Sequence, residues 1–379
     1  VMNLLAEFYI KKSRLEEAHA VTDDFLVSFP DDLELLEMKA RIYLAAKDYK
    51  SAAGYYARLI DDPDIHFTSK LRIAHEFYIA SLRDSALIGD TKVLFTKMDK
   101  DTTAWEVKMY LGAIALEEQY DSIAIAYFEK VTELAPWNPD GWIRLGGTLF
   151  DNRKYESAAQ FMLNAAGRFP ENFSVQFILG LSYAQSDKDS LAEKYLAKSL
   201  ELNPADIQAL SAYGYTLSRL KRNKDAVAYM KKALAIDPEN TNLLGTLGLI
   251  YDALGDHAVS DSLYEKVLEI DPENALVYNN YAYALSKRDS RLDEALDMVT
   301  KALKEEPDNS AYLDTKGWIL YKLKRFDEAE KYISRAIAIG GERPVLIDHL
   351  GDVLYRLGKK AEALENWKKA FAIDPAIQG

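Results

Sequence analysis

Residues 141–170, GWIRLGGTLFDNRKYESAAQFMLNAAGRFP, decide the fold. Apolar residues recur at spacings of three and four in WIRLGGTLFD, from Trp142, and again in YESAAQFMLNAAGRF, from Tyr155, which is typical of two amphipathic helices. The polar residues 152–154 between them form a short joint, and Pro170 lacks the N–H that would continue the second helix. The stretch therefore predicts a helix-turn-helix unit that ends at a proline.

The same unit recurs along the chain with a period of 34 or 35 residues. The stops are Pro136, Pro170, Pro204, Pro238, Pro272, Pro307 and Pro375, with Gly341 in the breaking role between the last two. Small residues stand 24 positions before the stops, at Gly112, Gly146, Gly180, Gly214, Gly248, Gly317 and Gly351, and Ala282 stands 25 before Pro307, in the unit with the 35-residue step. A second small series stands 12 positions before each stop, at Ala124, Ala158, Ala192, Ala226, Ser260, Ala295, Ala329 and Ala363. Both series predict close helix crossings, and the fixed period predicts stacked helical pairs.

Large apolar residues accompany the small ones and are expected to fill the space beside them. They are Phe128, Met162, Leu196, Met230, Tyr264, Val299, Ile333 and Trp367. No stretch shows the alternation of a β-strand, so the predicted fold class is all-α.

The pattern resembles the tetratricopeptide repeat, which has Trp, Leu, Gly and Tyr on its first helix, Ala and Phe on its second, and a final Pro. The matching residues in the quoted unit are Trp142, Leu145, Gly146, Ala158, Ala165 and Pro170. Eight units follow the pattern in register from Trp105 onward. The resemblance implies a right-handed superhelical solenoid of about 11 units, in which the first helices line a concave groove.

The first quarter of the chain follows the pattern more loosely. We therefore divide the chain into residues 1–104, with less regular units, and residues 105–379, with eight regular units, in one continuous solenoid. About five residues more than one period lie before Trp105, and we expect them to lengthen the helix around Leu71 to Leu87 or its following turn at Gly89. Because 11 units account for nearly the whole chain, a separate catalytic domain has no room.

The composition of the chain excludes several classes of function. The 379 residues are 49% hydrophobic and 28% charged, and the net charge of -13 would repel a phosphate backbone, so no nucleic-acid partner is expected. The chain has no Cys, which excludes disulfides, thiolate metal sites and thiol nucleophiles. No apolar run reaches transmembrane length. Because the sequence opens inside a helical pattern at Val1, we expect a processed or engineered start from which any targeting signal has been removed.

Side chains that could carry chemistry are scattered. The five histidines are His19, His66, His75, His257 and His349. None has a partner at metal-ligand spacing, and Ile79 stands where a zinc-protease motif beginning at His75 would need its second histidine. The acidic residues 61–64 and 187–189 fall at helix joints, where Asp caps helices, and lack the Gly and Glu of a calcium loop. We expect no enzyme activity, no cofactor and no metal.

The predicted groove gives a sharper hypothesis. Places 2, 5, 9 and 12 of each unit face the concave side in the repeats that this sequence resembles. In the last three units they include the candidate partner-binding residues Asn279, Tyr283, Asp314, Trp318, Tyr321, Asp348, Asp352 and Tyr355, together with Leu276, Ser286, Ala311 and Val345. Rings supply apolar area, Asn pairs with a peptide backbone and Asp favours basic side chains, so the strip could hold an extended peptide.

Two interpretations of these aromatics stay open, because the rings of Tyr283, Trp318 and Tyr321 could instead complete packing between successive first helices. Upstream, the same places form a more apolar stretch that could accept a partner helix or a second copy of the chain as a homodimer, although core packing is the safer interpretation. Its residues are Met109, Ile143, Phe150, Phe177 and Leu181.

Related modules that grip the C-terminal carboxylate of chaperones use a clamp of Lys, Arg and two Asn over three units. Here Asn279 is followed by Thr315 in the next unit and by Val345 and His349 in the third, where the cations should be. Chaperone-tail binding is therefore disfavoured.

The C-terminal third carries a further resemblance. YNNYAYAL from Tyr278, RLDEA from Arg291, AYLD from Ala311 and DHLGD from Asp348 are similar to the end of large bacterial tetratricopeptide lipoproteins of the cell envelope. One such group acts as adaptor for a carboxyl-terminal processing protease. The resemblance implies protein partners, among them that protease and its substrates, on the periplasmic side of the envelope. Membrane attachment would then be only through a lipid anchor that this sequence lacks, and a cytoplasmic location also stays open.

Two rival functions follow from the same residues. The acidic aromatic strip could bind a glycan, or serve envelope polysaccharide assembly, because Trp and Tyr stack on sugars. Alternatively, exposed apolar ends could make the chain a self-associating structural rod. The leading expectation is a non-enzymatic scaffold or adaptor that binds partners in its groove.

Overall fold

The structure is a computed structural model that describes residues 2–100 and 103–377. These residues form 22 α-helices and one short 3-10 turn, Ser85–Leu87, with no strand among them. In chain order the helices are α1 (Met2–Lys11), α2 (Leu15–Ser28), α3 (Leu33–Ala45), α4 (Tyr49–Asp61), α5 (Phe67–Ser81), α6 (Ile88–Met98), α7 (Trp105–Glu117), α8 (Asp121–Leu134), α9 (Pro139–Asp151), α10 (Tyr155–Arg168), α11 (Phe173–Gln185), α12 (Asp189–Leu202), α13 (Ile207–Arg219), α14 (Asn223–Ile236), α15 (Thr241–Leu254), α16 (His257–Ile270), α17 (Ala275–Lys287), α18 (Leu292–Glu305), α19 (Ser310–Lys322), α20 (Phe326–Gly340), α21 (Pro344–Arg356) and α22 (Lys360–Ile373). The predicted all-α class is confirmed.

The helices follow the predicted pairing of first and second helices. Odd-numbered helices are the first helices of the repeats and even-numbered helices are the second. The quoted unit forms α9 and α10, and the predicted joint 152–154 separates them. Arg153, in the middle of that joint, has a φ of 57°, in the left-handed region that reverses the chain direction within three residues.

Short polar side chains begin most first helices. The side chain of Asn172 accepts a hydrogen bond from the backbone N–H of Val175 at 3.1 Å, and that of Asp206 accepts one from Ala209 at 2.8 Å. These are N-caps, which satisfy donors that the first turn of a helix leaves free. Where the stop is Gly341 instead of Pro, α20 ends at a φ of 75°, which favours glycine.

The small and large residue series meet, as predicted, in six of the helix pairs, where a glycine on the first helix lies against the large side chain on the second. A Cβ at Gly112 would lie 2.5 Å from the ring of Phe128, and one at Gly317 would lie 2.5 Å from Cγ1 of Ile333. The large side chain on the second helix therefore fills the space that a side chain at the glycine would need.

The described residues divide into two compact units, which meet in sequence between Ser186 and Asp187. The first contains α1 to α11, and one cluster of buried side chains in it includes Tyr56, Phe77 and Phe95. The second contains α12 to α22, and one cluster of buried side chains in it forms around α16 to α19.

In the irregular third repeat the first of the two expected alternatives, a longer first helix, holds in part, and the second, a turn at Gly89, does not. Its first helix, α5, is 15 residues long and ends at Ser81, and a six-residue joint that includes the 3-10 turn follows. The expected turn at Gly89 is wrong, because Gly89 lies inside α6. Asp84 accepts a hydrogen bond from the N–H of Ala86 at 3.1 Å and so sets the start of the turn earlier.

Some sequence-based boundaries fall on residues that the structure leaves undescribed. Val1, residues 101 and 102 of the irregular repeat, and the final residues 378 and 379 lie outside the described residues. The division between residues 104 and 105 stays a prediction. Among the described helices, none combines the length and apolarity needed to cross a membrane.

Candidate functional site

The eight predicted partner-binding residues lie on three first helices of the second compact unit. Within that unit α17 contacts α19, and α19 contacts α21, so the three helices lie side by side. We call their shared surface the first-helix face. It carries Asn279, Tyr283, Asp314, Trp318, Tyr321, Asp348, Asp352 and Tyr355.

A cleft of about 490 Å³ opens on the first-helix face. It brings together three of the eight predicted residues, Asn279, Tyr283 and Asp314. Arg343 and Asp374, which sequence reasoning did not propose, line it as well. The other five predicted residues do not line this cleft.

Asn279 holds an unusual position in the cleft. Its side chain is only 7% exposed, and its Oδ1 has no hydrogen-bond partner among the described residues. Its Nδ2 donates to Oδ1 of Asn280 at 3.4 Å, a long and therefore weak bond. Buried polar atoms are normally paired, so this oxygen is an acceptor that a bound group could satisfy.

Asp314 is paired with a histidine that sequence reasoning assigned to structure alone. Nδ1 of His349, on α21, lies 2.9 Å from Oδ1 of Asp314, on α19, and both side chains are mostly buried. The pair joins two neighbouring first helices beside the cleft. The sequence signal was their separation of 35 residues, one more than the 34-residue repeat, which places both at similar heights on adjacent helices.

The ring of Trp318 mainly packs against other side chains of the protein. Its ring is stacked on the imidazole of His349, with centroids 4.2 Å apart, and on the ring of Tyr321, with centroids 4.9 Å apart. Nζ of Lys322 lies 5.3 Å from the indole centroid. The packing interpretation of Trp318 and Tyr321 therefore has direct contacts in its favour.

Asp348 and Asp352 lie one helical turn apart on α21. Burial, followed by the charge of Asp352, raises the pKa of Asp348 above its ordinary value. Burial also raises the pKa of Asp352, although a hydrogen bond from Nε1 of Trp367 to its Oδ1, at 3.2 Å, opposes the rise. Tyr355, one turn further, is 50% exposed and packs at a tilt on Trp367.

Positions on α17 differ in accessibility. Tyr283 is partly buried, and burial raises the pKa of its hydroxyl. Leu276 is 53% exposed, whereas Ser286 is fully buried and donates to the carbonyl oxygen of Tyr283 at 2.7 Å. Ser286, expected to face the groove, is therefore closed off by its own helix.

The upstream apolar positions are partly buried in the first compact unit. Met109 and Ile143 line a second cleft, of about 640 Å³. Phe150 packs on Tyr155, and Phe177 is stacked on Phe173 with an angle of 11° between the rings. These contacts agree with the core-packing interpretation for the two phenylalanines.

Other side chains that the sequence analysis considered for metal binding form ion pairs or helix caps in the structure. Asp187 and Asp189 both pair with Arg219, and the ring of His66 caps α5 by accepting from the N–H of Thr68. In the described part of the chain, no group of three or more His, Cys, Asp or Glu side chains is placed to hold a metal ion.

These features define the class of protein. In each unit first and second helices alternate along the chain, mostly with a period of 34 residues, which makes this a helical tandem-repeat protein. Sequence profiles of the tetratricopeptide repeat match residues 4–64, 143–207, 207–240, 241–274, 263–297 and 287–344. The chain belongs to the tetratricopeptide repeat family.

Solved structures agree with this fold. A tetratricopeptide repeat protein from Parabacteroides merdae ATCC 43184 has a TM-score of 0.60 at 15% identity, over 66% of this chain and 98% of that chain. The Cut9–Hcn1 hetero-tetramer of the APC/C gives 0.54 at 15% identity, over 99% and 81%. Yeast Tom70 gives 0.53 at 14% identity, over 98% and 91%. No curated protein matches the sequence significantly.

Proposed function

We propose that this chain is a non-enzymatic scaffold or adaptor that binds peptide or protein partners on the first-helix face. The observation that carries the proposal is the open cleft that Tyr283, Asp314 and Asn279 line together, because the Oδ1 of Asn279 is buried without a partner. An extended peptide offers backbone N–H donors for the oxygen and apolar side chains for the ring. The tetratricopeptide repeat fold supports this function, since its members generally act as protein-interaction scaffolds.

A finer proposal concerns the partner. The resemblance of α17 and its following repeats to envelope lipoproteins suggests an adaptor for a carboxyl-terminal processing protease in a bacterial cell envelope. The test is co-purification of a purified protease of this class with the full chain. If the two do not associate at micromolar concentration, this refinement fails and the scaffold proposal is unaffected.

The scaffold proposal is tested by affinity capture from a native envelope extract with the full chain as bait. Proteins captured by wild type are expected to be lost when Tyr283, Trp318 and Asp352 are replaced by Ala. Because Trp318→Ala removes two stacking contacts, a second bait with Asp348→Ala and Tyr355→Ala tests the same face with less disturbance of packing.

The matched control bait carries Asp297→Asn, an exposed carboxylate on the second helix α18. Helicity and melting temperature are measured for every bait, so that a loss of capture is compared only among folded proteins. Unchanged capture by both groove variants would refute the assignment of the face.

Two other occupants are outcomes of further measurements. A second copy of the chain would appear as a concentration-dependent mass in sedimentation, abolished by the groove variants. Saturable binding on a glycan array, abolished by Trp318→Ala, would favour the carbohydrate rival. We expect no glycan binding, because the indole of Trp318 is already stacked on protein rings.

A further inference from the structure

The lining of the 490 Å³ cleft combines apolar walls with hydrogen-bond acceptors. The walls include the ring of Tyr283 and the side chains of Val345 and Leu346. Acceptors are supplied by Asn279 and Asp314. A long aliphatic chain with a polar donor at its end matches this combination, because its methylenes pack on the walls while its head reaches the acceptors.

Asn279 gives an independent indication of what the cleft lacks. Its Oδ1 is buried without a partner, and its side chain is more than nine-tenths buried. An oxygen can only accept hydrogen bonds, so the missing group must be a donor. Ammonium and guanidinium groups have donors and no acceptor atoms, so neither would place an acceptor against the neighbouring carboxylate of Asp314.

The charges along the first-helix face favour a cation. Asp314 has one oxygen bonded to His349, and Asp348 forms no ion pair with any described residue. Lys322 on α19 is held by Asp289 at 3.1 Å, and Arg343, which lines the cleft, donates to the hydroxyl of Ser310 at 2.5 Å. The second oxygen of the buried Asp314 and the carboxylate of the partly buried Asp348 thus keep acceptor capacity that no ion pair among the described residues uses.

We propose that the cleft between α17, α19 and α21 holds a Lys or Arg side chain of the bound peptide, with its charged head at Asn279 and Asp314. This inference rests on the proposed peptide-binding function and names the class of peptide. The aliphatic stem lies along Tyr283 and Val345, and the charge of Asp348 adds attraction from the next turn of α21. A partner with a basic residue in an extended segment is therefore selected over an acidic one.

The test selects peptides from a phage-displayed library of random dodecamers on the full chain. Enriched peptides are synthesised with each Lys replaced by norleucine or each Arg by citrulline, which keep the stem and remove the charge. We expect one common basic position whose neutral replacement weakens binding about tenfold or more, as for the loss of a charge-assisted hydrogen bond.

Substitutions in the cleft test whether that basic residue of the peptide binds there. Asp314→Asn is expected to weaken the basic peptide about tenfold and to leave its neutral analogue unchanged. Asp348→Asn, at a more exposed carboxylate, serves if Asp314→Asn unfolds, and is expected to weaken binding about threefold with less salt dependence. Asp297→Asn should change neither peptide, and Arg343→Gln should not weaken the basic one.

The outcomes separate this inference from the proposed function. If no peptide is enriched, or if the enriched peptides bind Tyr283→Ala as tightly as wild type, the groove function itself fails. If peptides bind the face but share no basic position, or if they tolerate both aspartate substitutions, peptide binding stands and the cationic specificity is overturned.

Discussion

Gly146 on α9 lies directly against Met162 on α10. A Cβ at Gly146 would be 2.0 Å from the sulfur and 2.7 Å from Cγ of Met162, whose side chain is fully buried. The next residue, Gly147, has open space, because a Cβ there would meet no atom within 4 Å. Packing therefore leaves no space for a larger residue at Gly146, whereas it places no such limit on the adjacent Gly147.

The first prediction compares these two glycines. Gly147→Ala is expected to stabilise the fold by about 0.5–1 kcal/mol, since Ala loses less conformational entropy in a helix. Gly146→Ala is expected to destabilise it by about 1–3 kcal/mol, because Met162 must leave its packed position. Urea unfolding midpoints, monitored by circular dichroism, measure both effects.

A third variant is included because the flexible side chain of Met162 could move and reduce the effect of Gly146→Ala. Gly112→Ala meets the rigid ring of Phe128 at 2.5 Å and should cost at least as much as Gly146→Ala. Equal midpoints for Gly146→Ala and Gly147→Ala would contradict the idea that the small residues mark helix crossings.

The repeat period made most of the fold predictable, because each unit packs only on its neighbours and the same spacing recurs. The irregular third repeat was predicted less well. Gly89 has open space around it and is tolerated inside α6, so its presence did not mark a turn. The local cap at Asp84 decided the boundary, and such caps carry a weaker signal than a recurring proline.

The candidate site was predictable in position and not in its contacts. Helical periodicity placed Trp318 and Asp352 on the first-helix face. The stacking of Trp318 on His349, and the bond from Trp367 to Asp352, join different helices and depend on side-chain rotamers. Periodicity indicates which residues lie on neighbouring helices but not which rotamers they adopt, so the role of His349 beside Asp314 was missed.

A second prediction concerns acid sensitivity of the first compact unit. Nζ of Lys39 donates to Nδ1 of His19 at 2.8 Å and also pairs with Asp23. Burial, followed by the charge of Lys39, lowers the pKa of His19, although Asp23 and Asp48 oppose the change. The folded state therefore binds fewer protons than the unfolded state, and stability should fall as pH decreases through 6.5, the ordinary histidine value.

His19→Gln isolates this contribution, because its side-chain oxygen can still accept from Lys39 and does not titrate. Melting temperatures measured between pH 7.5 and 5 should decrease less in the variant than in wild type. A decrease of the same size in both proteins would assign the acid sensitivity to other groups.

The third prediction uses Asp348, whose pKa is raised by burial and by Asp352. The folded state binds more protons than the unfolded state, so the ionised group disfavours folding at neutral pH. Asp348→Asn should therefore raise the melting temperature at pH 7, and the gain should disappear below pH 3.8, the ordinary Asp value. Asp297→Asn, at an exposed position, is the control, and an equal gain there would point to the net charge instead.

The last prediction concerns the indole of Trp367, which donates to Asp352 and fills the space beside Gly351. Trp367→Phe keeps an aromatic ring in this space and removes the donor. Since that hydrogen bond lowers the pKa of Asp352 against the effect of burial, the variant should raise the pKa further. Carboxyl carbon chemical shifts, followed by NMR over pH 2 to 8, measure the change directly.

Tyr355→Phe is the matched control, because it alters a ring that packs on Trp367 and removes no bond to Asp352. The Asp352 titration should stay at its wild-type position in this control. With the donor gone, Asp352 would hold its proton to higher pH, so a basic peptide should also lose affinity at a higher pH in Trp367→Phe than in wild type. An unchanged Asp352 titration in Trp367→Phe would mean that solvent replaces the indole, and that Trp367 does not set the charge of the first-helix face.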